Sequence, residues 1–142
     1  MKRYKIGYTQ GVFDMFHIGH LNLINEAKRY CDYLIVGVNS DQLVENYKKK
    51  TPIIVQENRR QIVENIKAVD QGVIATTLDK VEMWKQLKFD AIFIGDDWKN
   101  NKRWMNTQKE LAIYGVDVVF LPHTDGISST LLRTKKQNRI GE

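Results

Sequence analysis

The stretch Tyr8-Thr9-Gln10-Gly11-Val12-Phe13-Asp14-Met15-Phe16-His17-Ile18-Gly19-His20 crowds two imidazoles, two glycines and one carboxylate between a strand-like run and a helix-like run. Upstream, residues 4–8 alternate before meeting glycine and polar side chains, whereas downstream Leu21, Ile24, Ala27 and Lys28 recur at helical spacing. Strand, loop, helix is a context that can cradle phosphate, because the first amides of a helix have no partner inside it and sit at the positive end of its dipole.

Outward from that stretch the alternation continues. Tyr33-Leu34-Ile35-Val36-Gly37-Val38 is a continuous apolar run after a brief turn at Cys31-Asp32, the pattern of a strand buried on both faces. Asn39-Ser40-Asp41 offers helix-start or turn chemistry, and Tyr47-Lys48-Lys49-Lys50-Thr51-Pro52 reads as a basic loop closed by proline. The spacing of Ile62, Val63 and Ile66 predicts an amphipathic helix over 57–67 with Arg59, Arg60, Glu64 and Lys67 on its other faces. A strand over 72–75, a capped helix from Asp79 to Lys88, a strand over 90–94, a helix over 103–114 stopped by Gly115 and a strand over 117–121 complete the chain.

This order predicts an α/β fold: a single Rossmann-like, three-layer domain over 1–142, with a parallel five-stranded sheet covered by helices on both faces. Ligands of such sheets bind beyond the carboxyl ends of the strands, where strand order reverses. The polar loops over 11–20, 95–98 and 122–130 are therefore expected on one edge.

Composition narrows the partners. The 142 residues make about one domain, 42% hydrophobic and 27% charged, which is ordinary for a globular chain. Lys and Arg exceed Asp and Glu by 22 − 17 = +5, favouring an anionic ligand. No nucleic-acid motif accompanies that surplus, and a triphosphate satisfies the same electrostatics. The single cysteine, Cys31, excludes an internal disulfide, no apolar run reaches the ~20 residues of a membrane span, and the basic start Met1-Lys2-Arg3-Tyr4 lacks the apolar core of a signal peptide. A soluble, cytoplasmic protein that binds neither membrane nor nucleic acid is expected.

His17-Ile18-Gly19-His20 after Gly11-Val12-Phe13-Asp14, with Gly95-Asp96-Asp97-Trp98 and Gly126-Ile127-Ser128-Ser129-Thr130 following in order, resembles the cytidylyltransferases of the HxGH nucleotidyltransferase superfamily. The resemblance spans nearly the whole chain. It implies transfer of CMP from CTP to a phosphorylated alcohol with release of pyrophosphate. Glycerol 3-phosphate is the leading acceptor; choline, ethanolamine or another polyol phosphate, and ATP in place of CTP, are its alternatives, with a catalytically weak nucleotide-binding domain as the non-enzymatic one. Mg²⁺ is implied with the triphosphate rather than in a dedicated protein cage, and a homodimer is implied, for which Trp84, Trp104 and Tyr114 offer contact surface.

The chemistry suits these residues. A phosphate-ester oxygen attacking the α-phosphorus of CTP is already anionic, so the reaction needs fixed donors around the phosphoryl oxygens more than a general base. His17 and His20, three apart on a first helical turn, share one face. Two histidines also suit a metal, but no third ligand of convincing spacing accompanies them. Gly11 and Gly19 permit close backbone approach, and Asp14 either orients a histidine or caps the turn. The resemblance assigns catalysis to His17, His20, Lys48 and Lys50, with Lys49 competing for the lysine register. It assigns nucleotide contacts to Gly11, Val12, Phe13, Asp14, Gly19, Gly95, Asp96, Asp97, His123, Thr124, Gly126, Ile127, Ser128, Ser129 and Thr130. Substrate contacts fall to Arg59, Lys67 and Trp98. Three positions depart from the family: His123 and Lys67 replace arginines and Val12 replaces threonine, with Arg133 placed to restore the charge missing at His123.

Overall fold

A computed structural model describes residues 3–122. Its strands are β1 (Tyr4–Gly11), β2 (Cys31–Asn39), β3 (Gln71–Ala75), β4 (Ala91–Gly95) and β5 (Asp117–Leu121); its helices are α1 (Ile18–Arg29), α2 (Asp41–Lys48), α3 (Gln56–Glu64), α4 (Lys80–Leu87) and α5 (Lys102–Ala112). All five strands are parallel, in the order β3-β2-β1-β4-β5. The expected α/β architecture is present.

Two apolar layers enclose the sheet because successive strand residues face opposite ways. Leu34, Val36, Val38, Ala91 and Phe93 join Ile24 and Ala27 of α1 and Val63 of α3 in one core. Ile35 and Ile92 join Met83 of α4 with Trp104 and Leu111 of α5 in the other. Gly7 in β1 lies under this packing so closely that an added Cβ would sit 2.5 Å from the Phe93 ring and 2.7 Å from Cys31 Sγ.

The structure redraws three boundaries. Residues 47 and 48, expected in a loop, end helix α2, which the Ser40 hydroxyl caps by accepting from Leu43 N at 3.2 Å and Lys49 terminates at φ 59°. Helix α3 ends at Glu64 rather than at Lys67: Asn65 Nδ2 donates to Gln61 O at 2.8 Å, and Gly72 N donates to Glu64 Oε2 at 3.2 Å, turning the chain into β3. Lys67 is thus an exposed turn residue and does not share a helical face with Arg59. The turn after α1 is shorter than expected, with Tyr30 as its cap and Cys31 already in β2. Among the described residues no helix is long and apolar enough to cross a membrane.

Candidate active site

Strand order reverses between β1 and β4, so the loops leaving Gly11 and Gly95 open side by side at the carboxyl edge of the sheet. The β1 loop is strained. Phe13 and Met15 both take left-handed backbone conformations, φ 53° and 49°, which cost about 1–2 kcal/mol each for residues other than glycine. Packing and hydrogen bonds hold them there. Phe13 is buried and meets the His20 ring edge-on at 5.3 Å, while the Asp14 carboxylate accepts from Ile53 N at 2.8 Å and from Ile54 N at 2.9 Å.

His17 is the N-cap of α1. Its Nδ1 accepts from Gly19 N at 3.1 Å, and His20 Nδ1 accepts from His17 N at 3.2 Å, with the two rings stacked at 3.8 Å between centroids. Because each Nδ1 is an acceptor, the neutral tautomer of both rings carries its proton on Nε2. Burial lowers the pKa of both, and the neighbouring His17 helps bring His20 to about 4 against a weaker upward pull from Asp14. The pair therefore presents neutral Nε2–H donors at a helix N-terminus. Among the described residues, His17 Nε2 is the one buried side-chain nitrogen or oxygen without a hydrogen-bond partner. An orphaned buried donor costs about 1–3 kcal/mol, and an incoming acceptor atom relieves that cost.

Three expected ligands are committed to scaffolding instead. Arg59, expected to touch substrate, is fully buried: Nε donates to Ile54 O at 2.7 Å, Nη1 to Val12 O at 2.7 Å and Asn39 O at 2.8 Å, and Nη2 to Asp41 Oδ1 at 2.6 Å. It ties α2, α3 and the β1 loop together and has no face left for a ligand. Asp14, expected at the nucleotide, has both oxygens on the amides of Ile53 and Ile54 and anchors the loop before α3. Gly19 likewise spends its amide on His17.

The remaining expected residues lie around the same edge. Asp96, Asp97 and Trp98 form a single 3₁₀ turn after β4, the two carboxylates exposed and the Trp98 ring carrying the Arg103 guanidinium at 5.5 Å. Lys48 ends α2 with its ammonium 5.9 Å from the Tyr47 ring centroid, and Lys50 is exposed just beyond. The third loop begins after Leu121; His123, Thr124, Gly126, Ile127, Ser128, Ser129, Thr130 and Arg133 lie outside the described residues. Trp104 is buried, which removes it from any contact surface, while Tyr114 stays 46% exposed and packs on Trp84.

Lys80 escaped the sequence reading. In Asp79-Lys80-Val81-Glu82 it looks like a solvated first-turn residue, yet the fold buries it, its Nζ donating to Leu78 O at 2.7 Å and lying 5.2 Å from the Trp104 ring. Burial, aided by Arg103 and opposed by Asp79, brings its pKa down to about 8. Lys80, Arg103, Thr107 and Glu110 line a cavity of about 250 Å³ between the starts of α4 and α5. Only the α4–α5 packing brings Lys80 and Arg103 together, so no local pattern marks them.

The chain is similar to known proteins over most of its length. The chain is 36% identical over 126 residues to the glycerol-3-phosphate cytidylyltransferase of Bacillus spizizenii, covering 88% of this chain and 92% of that one. It is 33% identical over 132 residues to the enzyme of the same name from Bacillus subtilis, with the same coverage. A crystal structure of a lipopolysaccharide core biosynthesis protein from Thermoplasma volcanium superposes with a TM-score of 0.74 at 27% identity, covering 86% of this chain and 99% of that one. The cytidylyltransferase-like family model matches residues 8–135, and with the paired imidazoles capping α1 beside the strand-order reversal it follows that the chain belongs to the cytidylyltransferase-like family of nucleotidyltransferases.

Proposed function

We propose that the protein transfers CMP from CTP to a phosphorylated alcohol, glycerol 3-phosphate being the acceptor, with release of pyrophosphate. One observation carries this reading: His17 and His20 are held neutral with their Nε2–H donors at a helix N-terminus, and one of those donors is buried and unpaired. That is a receptor for phosphoryl oxygens. The acceptor's phosphate oxygen forms the new bond to the α-phosphorus as the bond to the pyrophosphate oxygen breaks, and the imidazole donors stabilise charge on the non-bridging oxygens.

Lys48, which ends α2, and Lys50 just beyond it supply cations to the phosphates, and Lys80 and Arg103 offer positive charge to the acceptor's phosphate in a cavity that Asp79 and Glu110 also line. Mg²⁺ held by the triphosphate oxygens would add positive charge at the reacting phosphates without a dedicated set of protein ligands. The imidazole pair does not suit a protein cage for it, since both Nδ1 atoms are occupied by amide hydrogens and both Nε2 atoms carry protons. Ile113, 80% exposed, and Tyr114 beside it are the apolar surface through which two copies associate as a homodimer, which sedimentation of the protein and an Ile113→Asp variant tests.

Pyrophosphate release from CTP, with ATP as the competing nucleotide and a panel of phosphorylated alcohols, tests the function. Turnover with CTP and glycerol 3-phosphate that His17→Ala abolishes is the expected result. Full turnover in that variant refutes the assignment, and nucleotide binding without turnover on any acceptor identifies a binding module instead.

A further inference from the structure

At the carboxyl ends of β1 and β2 a row of uncharged side chains is hydrogen-bonded in one direction. Gln10 Nε2 donates to the Thr77 backbone oxygen at 2.9 Å, which identifies that atom as the amide nitrogen and leaves Oε1 to accept from the Tyr8 hydroxyl at 2.6 Å. The same Nε2 donates to Asn39 Oδ1 at 2.8 Å, so Asn39 must present Nδ2 on its other side, where it donates to the Tyr47 hydroxyl oxygen at 3.2 Å. A backbone carbonyl thus sets the polarity of the whole row. Its last member, the Tyr47 hydroxyl, accepts from Asn39 and retains its own hydrogen, with the Tyr47 side chain partly open to solvent.

The charges around that hydroxyl are positive. Arg103 acts on both the Tyr47 hydroxyl and the Lys80 ammonium, and Lys48 lies over the Tyr47 ring. Three aromatic faces at this edge carry cations of the protein: Arg103 on Trp98 at 5.5 Å, Lys80 on Trp104 at 5.2 Å and Lys48 on Tyr47 at 5.9 Å. An alkylammonium offers no acceptor to the Tyr47 hydrogen and meets like charge. A hydroxyl accepts that hydrogen and carries no charge.

We infer that Tyr47, oriented through Asn39 and Gln10, is the specificity-determining residue that reads a hydroxyl of the acceptor and confines the enzyme to phosphorylated polyols, excluding phosphorylated amino alcohols. The inference rests on the cytidylyltransferase reading above and deepens it. A site that hydrogen-bonds a substrate hydroxyl discriminates strongly against an analogue lacking it, because its own donor is then left unpaired.

The test compares kcat/KM with CTP for glycerol 3-phosphate, 1,3-propanediol monophosphate, which lacks the middle hydroxyl, and phosphoethanolamine, in the wild type and Tyr47→Phe. The wild type is expected to favour glycerol 3-phosphate over the deoxy analogue by roughly 100-fold or more. Tyr47→Phe, which keeps the ring, is expected to shrink that ratio by about tenfold, by slowing glycerol 3-phosphate while the deoxy analogue keeps its rate. Turnover with an unchanged ratio in Tyr47→Phe, or efficient use of phosphoethanolamine by the wild type, overturns the inference and leaves the cytidylyltransferase reading standing. Absence of turnover with every acceptor overturns both.

Discussion

Replacing Arg59 by methionine removes a side chain that binds three separate segments at once. Its guanidinium has no exposed area and makes four hydrogen bonds of 2.6–2.8 Å, three to backbone carbonyls and one to Asp41, whose side chain is 30% exposed. The three carbonyls lose charged donors worth about 1.5–3 kcal/mol each in isolation, but such losses do not add, and Asp41 recovers part of its deficit from water. Breaking a buried pair of this kind costs about 3–5 kcal/mol, a large part of the ~5–15 kcal/mol by which a domain is stable. Urea unfolding should show the midpoint falling with little change in slope. Arg59→Lys should recover less than half of the loss, because one ammonium cannot span carbonyls of Val12, Asn39 and Ile54. A loss below about 1 kcal/mol for Arg59→Met, or unaltered stability combined with a raised KM for CTP, refutes the scaffold role and restores Arg59 as a substrate contact.

Further outcomes follow from the same structure. His20, with its pKa lowered to about 4, should show NMR ring shifts of the neutral form down to about pH 5, with the onset moving upward when triphosphate binds; a ligand-free midpoint near 6.5 contradicts the buried geometry. Since the unfolded chain binds that proton at about 6.5 and the folded one at about 4, stability should fall as pH drops through this window, and His20→Gln should flatten the decline seen in unfolding midpoints. Lys49→Gly should stabilise the protein by about 0.5–1 kcal/mol, because Lys49 is an exposed helix terminator at φ 59°; a lowered melting temperature counts against this. Gly7→Ala should cost about 1–3 kcal/mol by driving a methyl into Phe93 and Cys31, and a neutral result in denaturant titration shows that this core yields more than its packing indicates.

The elements that could be read beforehand are those whose signal is local. Alternating strands, helical spacing and caps depend on neighbours a few residues apart, so the β/α order, the parallel sheet and the placement of His17 and His20 on one first turn are written in residues 4–121. Misjudged boundaries arose where a local cue competed with a longer-range one. Three lysines looked like a solvated loop, although the Ser40 cap carries helix α2 through Lys48, and the apolar spacing that ran to Ile66 was cut at Glu64 by the hydrogen bond from Gly72.

The fold class, the family and the side-chain chemistry of the loop after β1 are encoded in residue types at fixed short spacings. What the individual polar groups do there depends on contacts between distant segments. Arg59 became a clamp, Lys80 a buried cation beside Arg103, and Gln10, Asn39 and Tyr47 a directed row, through contacts 20 to 67 residues apart for Arg59–Asn39, Gln10–Asn39 and Gln10–Thr77. A side chain's partners, and with them its charge, its tautomer and its freedom to meet a ligand, are set by which segments the sheet brings together.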